Sequence, residues 1–316
     1  LAEVYPKVSV ICCFLNEQRF LSEAIGSVLA QDYGDYELIL VDDGSKDAST
    51  TIAQELAERH SGIIRYLEHP RHENRGLSAS RNLGVSVARG KFVAFIDADD
   101  VWTHGKLTEQ LAIMEAIPEL GMLCGAVRYW SSWNGGVDQI VRTGHVCNTI
   151  ILAPEAALVL YPLGKAAAPC PSDLFLRREV GDSIGWFEES FTGPRQLYED
   201  QCFLIKLYLS AAVYFSYRVW LNYRLRDESL VSTVIRRGRY HEIRLHFLNW
   251  LETYLTGMPQ PDVRVSAALR GVLSHYRTAS EGDNPGALPR YSNRALAAKH
   301  GVSIREVKKR RRHGAL

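Results

Sequence analysis

Long apolar runs are missing from this 316-residue chain. No stretch reaches the ~18 uninterrupted apolar residues of a membrane-spanning helix. The most apolar region, Ile150 to Leu163, is broken by Pro154, Glu155 and Pro162 and reads as core or loop. A surplus of either charge is missing too. The 37 Lys and Arg stand against 36 Asp and Glu, a net charge of +1, which argues against a nucleic-acid partner. Cysteine is scarce and scattered, at 12, 13, 124, 147, 170 and 202. Without a CxxC pair a zinc cluster is disfavoured. The scatter suits reduced thiols in a cytoplasmic compartment, with Cys12 and Cys13 buried in a strand. Leu1 to Lys7 carry no signal-peptide pattern, although the chain does not begin with Met. A GxGxxG turn and a Walker loop are both absent, which removes nicotinamide dehydrogenases and P-loop enzymes. With 46% hydrophobic and 23% charged residues, the composition is that of an ordinary globular chain of one large domain or two modest ones.

The first hundred residues alternate between two periods. Val8 to Leu15, Tyr36 to Val41, Ile63 to Leu67 and Phe92 to Ile96 are short apolar runs, the pattern of strands buried on both faces. Between them Phe20 to Leu29, Ala48 to His60 and Leu77 to Ala88 place apolar residues at helical spacing. This βαβαβαβ order predicts an α/β fold with a mostly parallel sheet flanked by helices. Ligands of such sheets sit beyond the carboxyl ends of the strands. Those ends are Phe14-Leu15-Asn16-Glu17, Asp42-Asp43-Gly44-Ser45 and Asp97-Ala98-Asp99-Asp100.

Beyond Asp100 the pattern weakens. Helices are expected over Leu107 to Ala116, Tyr198 to Ser210 and Tyr240 to Tyr254, and strands over Leu123 to Tyr129 and Ile140 to Val146 around a Gly135-Gly136 turn. Val213 to Arg224 reads as extended, Gly282 to Pro289 as a linker, and Arg305 to Arg312 as a basic tail. The tail is either a solvated helix end or a contact for anionic lipid, worth about 1 kcal/mol per basic residue.

Four segments carry chemistry. Asp97 and Asp99, two apart after a buried strand, could share a divalent cation with diphosphate oxygens and water, or could form a polar loop with a capping aspartate. Asp43 could accept hydrogen bonds from a pyrimidine or ribose, with Asp42 as a turn cap. Asn74 to Asn82 is a loop entering a helix. Arg81 lies one turn in, where an anion or a salt-bridge partner would be met. Glu199-Asp200 opens a helix as caps or as a general base.

In this order the segments resemble glycosyltransferase family 2, the inverting enzymes with a GT-A fold. The matching residues are Val8-Ser9-Val10-Ile11 through Asn16-Glu17, Val41 through Ser45, Asn74 through Asn82 and Phe95 through Asp100. They continue with Leu176 through Glu179, Ile184 through Glu189 and Glu199-Asp200, so the resemblance covers roughly residues 6 to 232. It implies a GT-A domain over 1–232, with a nucleotide-binding half (1–100) and an acceptor-binding half (101–232). A helical C-terminal extension follows over 233–316. It further implies nucleotide contacts from Cys13, Phe14, Leu15, Glu17, Asp43, Asn74, Arg81, Asp97 and Ala98. Asp97 and Asp99 would hold Mn²⁺ or Mg²⁺, Asp200 would be the base with Glu199 beside it, and Trp102 would lie near the sugar or acceptor.

Two segments depart from the family. Cys13-Phe14-Leu15 stands where Pro-Thr-Tyr is usual. Arg226 stands where a Tyr-Arg-x-His-x-x-Ser element has its histidine. An arginine cannot ligate a metal, but it could clamp a diphosphate. The Gln-x-x-Arg-Trp signature of processive synthases is absent, which predicts transfer of one residue at a time. The expectation is a cytoplasmic hexosyltransferase, peripheral to the inner face of the membrane, working in envelope polysaccharide assembly. It would move one sugar, from a UDP-sugar first, to a hydroxyl of a glycan or lipid-linked acceptor. The alternatives are a degenerate GT-A scaffold and a sugar nucleotidyltransferase. The latter lacks its Gly-rich basic loop, since Phe14 to Glu17 stand there.

Overall fold

The computed structural model describes residues 5–144, 146–226 and 229–281. The expected linker over 282–289 and the basic tail over 305–312 lie outside the described residues.

The first half follows the expected alternation: β1 (Val8–Phe14), α1 (Leu21–Leu29), β2 (Tyr36–Asp42), α2 (Ser49–Arg59), β3 (Ile64–Glu68), α3 (Leu77–Ser86) and β4 (Phe92–Asp97). Every residue of β1 and β2 is buried. Because side chains alternate across a strand, they feed two cores. Ile11, Cys13, Ile39, Val41, Val93 and Phe95 enter one, while Val10, Cys12, Phe14, Leu38, Leu40 and Ala94 enter the other. Helix α1 buries Leu21, Ala24, Ile25 and Val28, the stripe that helical spacing requires. Helix α3 packs directly on the sheet because Gly84 has no side chain. A Cβ there would stand 2.7 Å from Ile11 Cγ2.

The second half comprises β5 (Val101–Trp102), α4 (Lys106–Ala116), β6 (Leu120–Trp130), β7 (Gln139–Val141), β8 (Thr149–Ile151), α5 (Glu155–Val159), β9 (Phe175–Arg177), α6 (Arg178–Ile184), α7 (Glu199–Ser210) and β10 (Ala212–Arg224). Three helices follow, α8 (Leu230–Arg236), α9 (Tyr240–Thr256) and α10 (Val263–Glu281). Among the described residues the strand order is β3-β2-β1-β4-β9-β6-β10-β5, with β7 beside β6 and β8 beside β10. Strands β1 to β4 are parallel, and β9 enters antiparallel to both β4 and β6. The sheet is therefore mixed beyond β4. The strand expected over 140–146 is shorter, closing at Val141, and the one expected over 123–129 runs from Leu120 to Trp130. Helices α9 and α10 place Phe247, Leu248, Leu251, Leu269 and Leu273 in the same core as Ile11 and Phe95.

Register levels the strand ends. Cys13 pairs with both Val41 and Asp97, and Phe14 with Asp42, so the first, second and fourth strands finish at one edge.

Candidate active site

At the end of β1 only Leu15 reaches solvent, 39% exposed. The Cys13 and Phe14 side chains are core residues on opposite faces of the sheet. Packing on both faces leaves only their backbone at the edge for the nucleotide contacts that the resemblance implies. The chain turns at Asn16, whose positive φ of 56° is tied down from both sides. Its amide donates to Ser45 Oγ and its Oδ1 accepts from the Lys46 amide.

The two aspartates after β2 divide their work. Asp42 is structural, as expected, accepting from the Ser45 amide and from Thr50 Oγ1. Asp43 is buried, and its Oδ1 accepts from the Arg75 amide at 2.8 Å and the Gly76 amide at 3.0 Å. It anchors the loop ahead of α3, which presents Asn74 to solvent. Gly44 permits this contact. Its φ is +83°, and a Cβ would stand 2.8 Å from the Asn74 nitrogen.

Arg81 corrects an expectation. Its side chain is 2% exposed and points inward. Nη2 donates to Asp97 Oδ1 at 2.8 Å, and Nη1 donates to Glu199 Oε1. Both ends of the guanidinium therefore meet carboxylates of the protein, which removes it as a direct nucleotide contact. The same bridge brings the start of α7 against the end of β4, although they are separated by over a hundred residues. Glu199 is buried on this arginine, and burial pushes its carboxyl up to about 7. Asp200, the next residue, is partly exposed, with Oδ1 accepting from the Gln201 amide. Asp200 Oδ2 accepts from Gln201 Nε2 at 3.1 Å, and of the two expected acids Asp200 is the partly exposed one.

Asp99 faces a second arginine. Arg226 Nη2 lies 2.7 Å from Asp99 Oδ2, and the same guanidinium grips Glu17 at 2.8 and 3.0 Å. Burial and the nearby Asp97 and Glu17 carboxylates push Asp99 up to about 6, against the opposing pull of Arg226. Ala98 between the two acids is buried.

The turn carrying these acids is held by Ser172, Asp173 and Lys106, which no motif marked, and by Arg224 of the Tyr-Arg element. Ser172 Oγ accepts from the Asp97 amide at 2.9 Å and donates to Asp100 Oδ2 at 2.6 Å. Its neighbour Asp173 forms a fully buried ion pair with Lys106, at 2.6 Å. Arg224 donates to the Asp99 carbonyl through Nε and to Asp100 Oδ1 through its amide, while its guanidinium packs on Phe20 and Trp130. Trp102 belongs to this support as well. It is 3% exposed, and its Nε1 donates to the Ser172 carbonyl. Its ring is part of the core, so contact with a sugar or acceptor is unavailable to it.

Among the described residues no three His, Cys, Asp or Glu side chains converge as a metal cage. Asp97 and Asp99 do supply two partly exposed carboxylates of the kind that Mn²⁺ or Mg²⁺ takes alongside phosphate oxygens and water. An open cavity of about 350 Å³ lies at the opposite edge of the strands, by Lys7, Lys91 and Arg178, and holds none of these residues.

Comparisons with known proteins bear on the family and the fold. The family model described as glycosyl transferase family 2 matches residues 9–168. An uncharacterized glycosyltransferase of Nostoc sp. is 34% identical over 182 residues, 56% of this chain and 53% of the relative. A cholesterol galactosyltransferase of Borreliella burgdorferi is 44% identical over 94 residues, 30% of this chain and 25% of the relative. The chain thus spans about half, or less, of the length of these curated relatives. Among solved structures, residues 1–349 of S. aureus TarS in complex with UDP-GlcNAc match with a TM-score of 0.64 at 19% identity, over 98% of this chain and 92% of that one. The mannosyltransferase PcManGT of Pyrobaculum calidifontis, in complex with GDP-Man and Mn²⁺, matches with a TM-score of 0.60 at 20% identity, over 99% of this chain and 80% of that one. The shared architecture is the GT-A fold. The match over half of its length makes the chain a member of glycosyl transferase family 2.

Proposed function

We propose that this chain transfers one sugar from a nucleoside-diphosphate sugar to an acceptor hydroxyl, with inversion at the anomeric carbon. One observation carries the proposal. Arg81 binds both Asp97 and Glu199, which brings the start of α7, with the partly exposed Asp200, to the acidic strand ends where a donor would lie. Asp200 takes the proton as the acceptor oxygen attacks from the face opposite the leaving group. Glu199 and Arg81 orient the start of α7. Leu15, Asn74 and the backbone of Cys13 and Phe14 border the nucleotide.

Asp97 and Asp99 would hold Mn²⁺ or Mg²⁺. The ion, when bound, would neutralise charge on the departing diphosphate. Arg226 supplies fixed positive charge at the same place, between Glu17 and Asp99. A UDP-sugar is the first choice of donor, consistent with the UDP-GlcNAc bound by TarS, and a GDP-sugar is the second, as in PcManGT. The acceptor is a glycan or a lipid-linked carbohydrate, entering over the 101–232 half. None of the six cysteines is paired, which supports a reducing, cytoplasmic setting. Among the described residues no helix is long and apolar enough to cross a membrane.

Calorimetric titration with UDP, GDP and dTDP, each with and without Mn²⁺, tests this proposal. Metal-enhanced binding of one nucleotide, weakened by Asp99→Ala, is expected. Binding of none of them would overturn it.

A further inference from the structure

Helix α7 carries the proposed base in its first turn and follows directly on a 3-10 turn over Gly193–Tyr198. Its N-cap residue is Tyr198, which makes no capping hydrogen bond. Caps are the usual local means of fixing a helix start, since the first amides have no partners within the helix. Here the Glu199 amide donates to the Gln196 carbonyl and the Gln201 amide to Asp200 Oδ1, and two tertiary anchors hold the start as well. Glu199 is held on one side by Arg81. Tyr198 is held on the other by Tyr161, within the matched family region, and by residues of α9 beyond it.

Tyr198 is fully buried and stacks on Phe247 of α9, with ring centroids 5.0 Å apart. Its hydroxyl meets those of Tyr161 and Tyr240, the latter at 3.2 Å, and Tyr161 meets Tyr240 at 3.0 Å. Arg244, also on α9, donates to Tyr161 OH at 3.0 Å and to the Pro162 carbonyl at 3.2 Å. Three phenols and a guanidinium thus close a buried network. Such networks specify one arrangement when their members are paired, because a lost partner leaves a polar group stranded. The network ends two residues before Asp200. A shift of Tyr198 would therefore be passed along the backbone to the Asp200 carboxylate.

We infer that Tyr240 and Arg244 of the C-terminal helices are positioning residues for the Asp200 carboxylate, acting through Tyr198. This rests on Asp200 serving as the base. It gives the extension a part in the reaction itself, since α9 completes the seat of a helix that belongs to the sheet domain.

The test uses the full chain with Tyr240→Phe, Arg244→Met and Arg244→Lys, and with Asp200→Asn as reference. The readouts are nucleoside diphosphate release from UDP-GlcNAc and GDP-mannose, calorimetric affinity for UDP and GDP, and amide hydrogen exchange over residues 199–201. Tyr240→Phe and Arg244→Met should lower kcat about 10- to 100-fold, the cost of small displacements of a reacting group. Donor KM and nucleotide affinity should hold, exchange at 199–201 should quicken, and Arg244→Lys should recover most of the rate. Unchanged exchange and unchanged kcat would overturn the inference, as would an affinity loss in step with the rate. Where release is too slow to time, exchange alone decides. If Asp200→Asn keeps full turnover, the base assignment itself is wrong. If it abolishes turnover while Tyr240→Phe behaves as the parent, only the positioning role fails.

Discussion

Arg226 Nη2 stands 2.7 Å from the Asp99 carboxylate, so the acid proposed to meet a metal is already neutralised by a side chain. The same arginine makes two hydrogen bonds to Glu17. A donor diphosphate bound as proposed would meet a guanidinium as well as two carboxylates. Arg226→Ala should therefore weaken nucleoside diphosphate binding most in the absence of metal, with Mn²⁺ restoring much of the loss. Paired calorimetric titrations of UDP check this. Equal losses with and without Mn²⁺ would mean that Arg226 does not share the work of the ion.

Arg81 is buried between Asp97 and Glu199. Breaking a buried ion pair from one side typically costs about 3–5 kcal/mol, because the partners are left uncompensated. Arg81→Met should lower stability by that order in a urea titration. An arginine whose task is to touch nucleotide would instead lose affinity and keep its unfolding midpoint.

Glu199 and Asp99 are held above their ordinary values, at about 7 and about 6. The folded state keeps these protons at pH values where the unfolded chain has released them. Between the unfolded values of 4.5 and 3.8 and these raised ones, the folded chain binds more protons, so stability falls as pH rises through the window. Unfolding midpoints measured from pH 5 to pH 7 should decline, and Glu199→Gln should flatten part of that decline. A midpoint that rises over this range in the parent chain would contradict the assignment.

Ser172 is fully buried and joins the Asp97 amide to the Asp100 carboxylate. Ser172→Ala strands both partners, at about 1–3 kcal/mol for a buried group left unpaired. Thermal unfolding should show that loss, and calorimetry should show weaker, less metal-sensitive nucleotide binding. Unaltered stability would mean that water replaces the hydroxyl.

The alternation of buried strands and striped helices over the first hundred residues was legible because each element was long enough to show its period. Strand β9, with three residues, and the 3-10 turn carrying Ser172 are too short to show any. The thin stripe of Val265, Leu269, Leu273 and Tyr276 that seats α10 is diluted by Arg264, Arg270 and small polar residues. The acidic residues at the strand ends could be read as types in order, but not their directions. Whether Arg81 turns out to a ligand or in to Glu199 depends on a partner 118 residues away. Trp102 was misplaced for the same reason, since its burial depends on the Ser172 loop returning beneath it.

The most direct measurement is turnover of Asp200→Asn with the donor that nucleotide titration selects. General bases contribute about 10²- to 10⁴-fold, and kcat should fall by that much while nucleotide affinity and unfolding midpoint stay near those of the parent. A variant that keeps its rate, or that loses nucleotide affinity together with its rate, would contradict Asp200 as the base.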